Sequence, residues 1–142
     1  MMSKSEICLE HFKSLNCAQS LLLTFAPELQ LDFTTAARLA SGFGGGMNCG
    51  ETCGAVTGAY FVIGLRHGHT SGDPDAKAHT SALIREFNRL FLQKHPSLKC
   101  RELTGFDLSN PEEKAAASEA GVFQTRCPAF LKTSCDILEK QF

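Results

Sequence analysis

An all-α bundle of five or six helices is what this chain predicts, and three observations carry the prediction. Apolar residues recur every three to five positions along its 142 residues, the spacing that lines one face of a helix. Helix punctuation is repeated: Ser3, Asp32, Asn48, Asp73 and Asn110 stand where caps belong, Pro74, Pro111 and Pro128 suit first-turn positions, and Gly42 and Gly121 suit stops. No run alternates apolar and polar residues between hairpin turns. The segment Ala59 to Leu65 has the length of a strand, but its small residues and glycines favour a helix.

Taken in order, Ser3 with Glu6 has the spacing of a capping box. The helix that follows carries Ile7, Phe12, Leu15, Ala18, Leu22 and Phe25 on one face until Pro27. Cys8 and Cys17 ride on it, turned to roughly opposite sides. Asp32 caps a second helix through Ala40, which the glycines from Gly42 end. Asn48 followed by Glu51 repeats the cap-plus-acid spacing, so a third helix is expected from Cys49 to about His67. Gly50, Gly54 and Gly58 fall on one face of that helix, with Ala55 and Ala59 beside them and Val56, Tyr60, Phe61 and Ile63 adjoining. Glycine inside a helix costs roughly 1 kcal/mol relative to alanine, so three together imply close approach of another helix backbone, a cofactor or a partner cysteine. Asp73-Pro74 opens a fourth helix, with Phe87 and Phe91 toward the core, that stops near His95-Pro96. Cys100 lies in the stretch beyond it. Asn110-Pro111 starts a short helix ending at Gly121. Cys127-Pro128 opens the last one, placing Cys127 near its N-cap.

A chain of this length is expected to be a single domain, residues 1–142. Fourteen basic and fifteen acidic side chains are dispersed rather than blocked, which gives no electrostatic footprint for nucleic acid. The N-terminus lacks the basic-then-apolar pattern of an export signal. The longest apolar stretch, Ala55 to Leu65, is about half of the roughly 20 residues that span a bilayer. A cytoplasmic location and no transmembrane character are therefore expected. Seven cysteines, an odd number, in a reducing compartment point to redox or metal roles over structural disulfides. The competing reading is that they are buried as small hydrophobes.

The thiols best placed for chemistry are Cys49 and Cys53, where a glycine-rich loop feeds the third helix. Unpaired N–H groups and the dipole there favour a thiolate. At i and i+4 the pair would share a helical face and could share a metal ion, whereas side-chain direction would strain a disulfide between them. The redox spacing Cys-x-x-Cys is absent. The glycine-rich loop lacks the lysine and hydroxyl residue of a P-loop. His67, His69 and His79 read as solvated, and no hydrolase triad is present.

Cys17, Cys53, Cys100 and Cys127, with Cys53-Gly54-Ala55-Val56-Thr57-Gly58, resemble a bacterial family of small redox-active proteins labelled by its cysteine pattern, C-GCAxxG-C-C. The similarity runs from Asn16-Cys17-Ala18-Gln19-Ser20 to Cys127 and includes Gly-Phe-Gly-Gly-Gly-Met and Gly-Glu-Thr ahead of Cys53. The resemblance implies Cys17, Cys53, Cys100 and Cys127 as functional residues, with Gly54 and Gly58 as supports that admit a partner group or cofactor. Cys8, Cys49 and Cys135 are extras.

Two chemistries fit. In one, Cys53 is a thiolate that attacks a disulfide or oxidant, resolved by Cys17 or Cys127, as in a thiol–disulfide oxidoreductase exchanging electrons with a redox partner protein or small thiol. In the other, Cys17, Cys49, Cys53, Cys100 and Cys127 supply ligands for zinc or an iron–sulfur cluster. A homodimer is compatible with either.

Overall fold

The computed structural model describes residues 1–142 as nine α-helices with no sheet. They are α1 (Lys4–Phe12), α2 (Cys17–Phe25), α3 (Phe33–Ala40), α4 (Gly54–His67), α5 (Pro74–Leu92), α6 (Cys100–Thr104), α7 (Pro111–Glu119), α8 (Val122–Thr125) and α9 (Cys127–Gln141). The all-α class holds, but the count exceeds five or six for two reasons. Two very short helices, α6 and α8, carry too few turns to show periodicity. The first expected helix is also two, because Asn16 starts a new one: its side chain accepts from the Gln19 amide at 2.8 Å while the Gln19 side chain accepts from the Asn16 amide at 3.1 Å.

The expected caps at Ser3, Asp32, Asp73 and Asn110 all accept from first-turn amides. The cap expected at Asn48 does not. Met47 and Asn48 take left-handed backbone angles, φ 60° and 55°, and Cys49 has φ −141°, so residues 46–50 form one wide turn and α4 begins only at Gly54. Cys49 and Cys53 therefore do not share a helical face, and Gly50 belongs to the turn.

Helix α2 is the centre of the molecule. Ala18 and every residue from Ser20 to Phe25 are buried on it, the composition of a helix surrounded by protein. Its two buried hydroxyls stay within the helix, Ser20 Oγ donating to the Asn16 carbonyl and Thr24 Oγ1 to that of Ser20. Around it pack α1, α3, α4 and α9. On the far side of α4, Phe87 and Phe91 of α5 are fully buried; excluding one such ring from water contributes roughly 2–3 kcal/mol. Gly58 explains how α4 lies so close to α2. A Cβ there would stand 2.9 Å from Leu21 Cβ and 3.1 Å from the Ala18 carbonyl oxygen. No helix is long and apolar enough to cross a membrane.

A cavity lined by four thiols

Four helices begin at one place, and each begins with a cysteine. Cys17, Cys100 and Cys127 are the first residues of α2, α6 and α9, and Cys53 is the N-cap of α4. All four line one cavity of about 840 Å³. Leu9 and Phe12 of α1, with Phe123 and Phe130, supply apolar wall, and Lys13 and Lys114 are its only charged lining residues.

Distinct local devices deliver each sulfur. The Asn16 capping box fixes Cys17, and the Asn16 side-chain Nδ2 also donates to the Ser41 carbonyl at 3.1 Å, docking this start on the end of α3. Gly54 brings α4 against it: a Cβ at Gly54 would lie 2.8 Å from both the Ala18 nitrogen and Cys17 Cβ. Cys53 and Cys100 are held side by side by the molecule's lone β-bridge, Thr52 with Lys99. Across it the Cys53 amide donates to Leu98 at 2.8 Å and the Cys100 amide to Glu51 at 2.6 Å. Gly46, at φ 65°, closes the wide turn beneath Cys100, whose Cβ would be only 2.8 Å from a Gly46 Cβ. Cys127 is docked through its neighbour, Arg126, which donates to the Thr104 carbonyl at the end of α6 at 3.1 Å.

Electrostatically the four thiols differ. Cys127 is pulled below the ordinary thiol value because Cys17 hydrogen-bonds to it, against the effect of burial. Cys17 is pushed well up, first by that same hydrogen bond to Cys127, then by burial. The Cys53 thiol is pushed up to about 12, mainly by burial; the amides of Ala55 and Val56 oppose the rise without overcoming it. Cys100 goes up to about 11, again through burial first. A negative charge on Cys127 further raises Cys17, Cys53 and Cys100. Thus the helix start at Cys53 does not yield the acidic thiol expected there, since loss of water outweighs two amide donors. Cys127 is the thiol of the cavity that ionises first.

These shifts set an alkaline limit to stability. A thiol with an unfolded value near 9 and a folded value of about 11 or 12 keeps its proton only when folded, so the native state binds more protons above pH 9 and stability falls with rising pH. Each raised thiol contributes about 1.4 kcal/mol per pH unit across its window. The lowered Cys127 acts below pH 9 and does not offset this. The unfolding midpoint in denaturant is expected to fall steadily from pH 9 to pH 11, and Cys53→Ala should flatten the decline. A flat profile in the unsubstituted protein would contradict the burial of these thiols.

Cys49 stands apart. It is exposed, outside the cavity lining, and its sulfur donates to the Gly46 carbonyl at 3.3 Å. Nor is any group of three or more Cys, His, Asp or Glu side chains arranged to hold a metal ion. Of the expected ligand set Cys17, Cys49, Cys53, Cys100 and Cys127, the left-handed turn leaves Cys49 outside the cavity, while the other four line it. His67 and His69 are occupied with the Phe142 and Ser71 carbonyls. Gly54 and Gly58 accommodate the α2 backbone and Cys17, two of the three kinds of group expected against them. Neither the Arg126 contact nor the Thr52–Lys99 bridge has a local signal in the sequence.

The family described as "Putative redox-active protein (C_GCAxxG_C_C)" matches residues 15–141 of the chain. No curated protein and no solved structure matches it.

Proposed function

The chain belongs to the C_GCAxxG_C_C family, and on that premise we propose that the cavity is a thiol–disulfide exchange site in which Cys127 attacks and Cys17 resolves. The observation that supports this reading is the hydrogen-bonded pair of Cys17 and Cys127, on the cavity wall, at the starts of α2 and α9. A thiol donating to its neighbour stabilises the neighbour's anion, and the thiolate is the attacking form.

The exchange runs in two steps. The Cys127 thiolate displaces one sulfur of a small disulfide, giving a mixed disulfide and releasing a thiolate. Cys17 then gives up its proton to the medium and attacks the Cys127 sulfur, forming the Cys17–Cys127 disulfide and releasing the second thiolate. The substrate gains two electrons, the pair loses two, and a dithiol donor, either a partner protein or a small thiol, resets it. Lys114, with no carboxylate among the lining residues, favours disulfides bearing carboxylates, whereas Lys13 is paired with Glu10 at 3.0 Å. Cys53 and Cys100 stay protonated at neutral pH and supply polarisable wall.

Treating the reduced protein with one equivalent of oxidised glutathione and mapping the linked peptides tests the assignment. The expected product is a Cys17–Cys127 link with loss of two titratable thiols. A stable glutathione adduct on Cys53 with Cys17 and Cys127 still free would refute it.

A further inference from the structure

A second pair of thiols lies outside the cavity and outside the family pattern. Cys8 is in α1, ahead of the matched residues, and Cys135 is in the middle of α9. Both are completely buried in the main hydrophobic core, where α1 packs on α9. There each lies close enough to the other to shift its ionisation. Two unrelated buried cysteines serve equally well as small hydrophobes anywhere in a core; a neighbouring pair is poised to be joined.

We propose that Cys8 and Cys135 are a second redox dithiol, which a small uncharged peroxide oxidises to an intramolecular disulfide that ties α1 to α9. Charged or peptide-sized disulfides have no route to fully enclosed sulfur, whereas hydrogen peroxide is small and neutral. Of the two, Cys8 is the one whose anion is favoured, by the hydrogen bond from Cys135. Its sulfur attacks a peroxide oxygen and becomes a sulfenic acid, and one water leaves. The Cys135 thiol then displaces that hydroxyl as the second water, so that two thiols and one peroxide give one disulfide and two waters. Nearly the whole chain lies between the two residues, which maximises the conformational freedom that the link removes from the unfolded state. Both helices it joins contribute to the cavity wall, α1 through Leu9 and Phe12 and α9 through Cys127 and Phe130. This inference does not depend on which cavity thiols exchange.

The experiment uses the full chain, reduced, exposed to hydrogen peroxide, then unfolded, alkylated and mapped. A Cys8–Cys135 linked peptide is expected, with a rise of about 10 °C in melting temperature that dithiothreitol reverses. Both should persist in the double variant Cys17→Ser, Cys127→Ser, which lacks the proposed cavity couple, and the melting shift should vanish in Cys8→Ala. Recovery of Cys8 and Cys135 as alkylated peptides from peroxide-treated protein would overturn the proposal, as would a link from either one to a different cysteine. Peptide mapping of the unsubstituted protein decides this even if a variant fails to fold.

Discussion

Cys127→Ser is expected to slow the fastest cavity thiol by about one to two orders of magnitude at pH 7. The experiment belongs in a Cys49→Ser background, because Cys49 is exposed and would react with any thiol reagent independently of the cavity. At neutral pH a thiol held at about 12 is ionised roughly a thousandfold less than an ordinary one near 9, and one at about 11 roughly a hundredfold less. The greater intrinsic nucleophilicity of the more basic sulfur returns only about the square root of that loss. Cys53 and Cys100 thus cannot replace Cys127, and Cys17, though released from its hydrogen bond to Cys127, is still held up by burial and by Cys53 and Cys100. The rate of reaction with an aromatic disulfide should rise with pH through a midpoint below 9 in the parent and should not level off before pH 11 in the variant. An unchanged rate and midpoint after removal of Cys127 would place the reactive thiol elsewhere and sink the assignment.

Gly54→Ala should destabilise the protein by about 2 kcal/mol and lower its melting temperature by about 5 °C. The new methyl meets Cys17 Cβ and the Ala18 nitrogen at 2.8 Å. The second contact is with backbone, which has no rotamer to escape into, so α2 and α4 must separate. Gly64→Ala in the same helix is the control, since nothing lies within 4 Å of its Cβ; there the better helix propensity should stabilise by up to about 1 kcal/mol. Equal stability of the two variants in urea would show that Gly54 is not wedged between the helices. Displacing α2 also carries Cys17 away from Cys53 and Cys127, so cavity thiol reactivity should fall with stability in Gly54→Ala and stay constant in Gly64→Ala.

Gly54 illustrates what the sequence made legible. Caps written in adjacent residues, such as Asp32, Asp73-Pro74 and Asn110-Pro111, located helix starts because the signal and the structure occupy the same few residues. The need for something close to Gly54 and Gly58 was equally readable, since glycines recurring on one helical face imply a neighbour there. Asn16 with Gln19 was as local a signal, but continuous apolar spacing from Ile7 to Phe25 masked the break. At Met47 and Asn48 the cap pattern misled, because left-handed backbone at two consecutive non-glycine residues depends on what surrounds them. That error carried Cys49 onto the α4 face. The ranking of thiols was beyond reach for a different reason: a helix start favours an anion locally, while burial, set by every packed neighbour, decides the sum at Cys53.

Convergence of the starts of α2, α4, α6 and α9 has a temporal consequence. A ribosome delivers Cys17, Cys53 and Cys100 well before Cys127, so a partly made chain carries three thiols without the one that ionises first. Only when α9 has emerged and docked, with Arg126 reaching Thr104, does an acidic sulfur exist beside Cys17. Until then the earlier thiols keep the ordinary value of an unfolded cysteine, and the four become electrostatically distinct only as these helix starts close together.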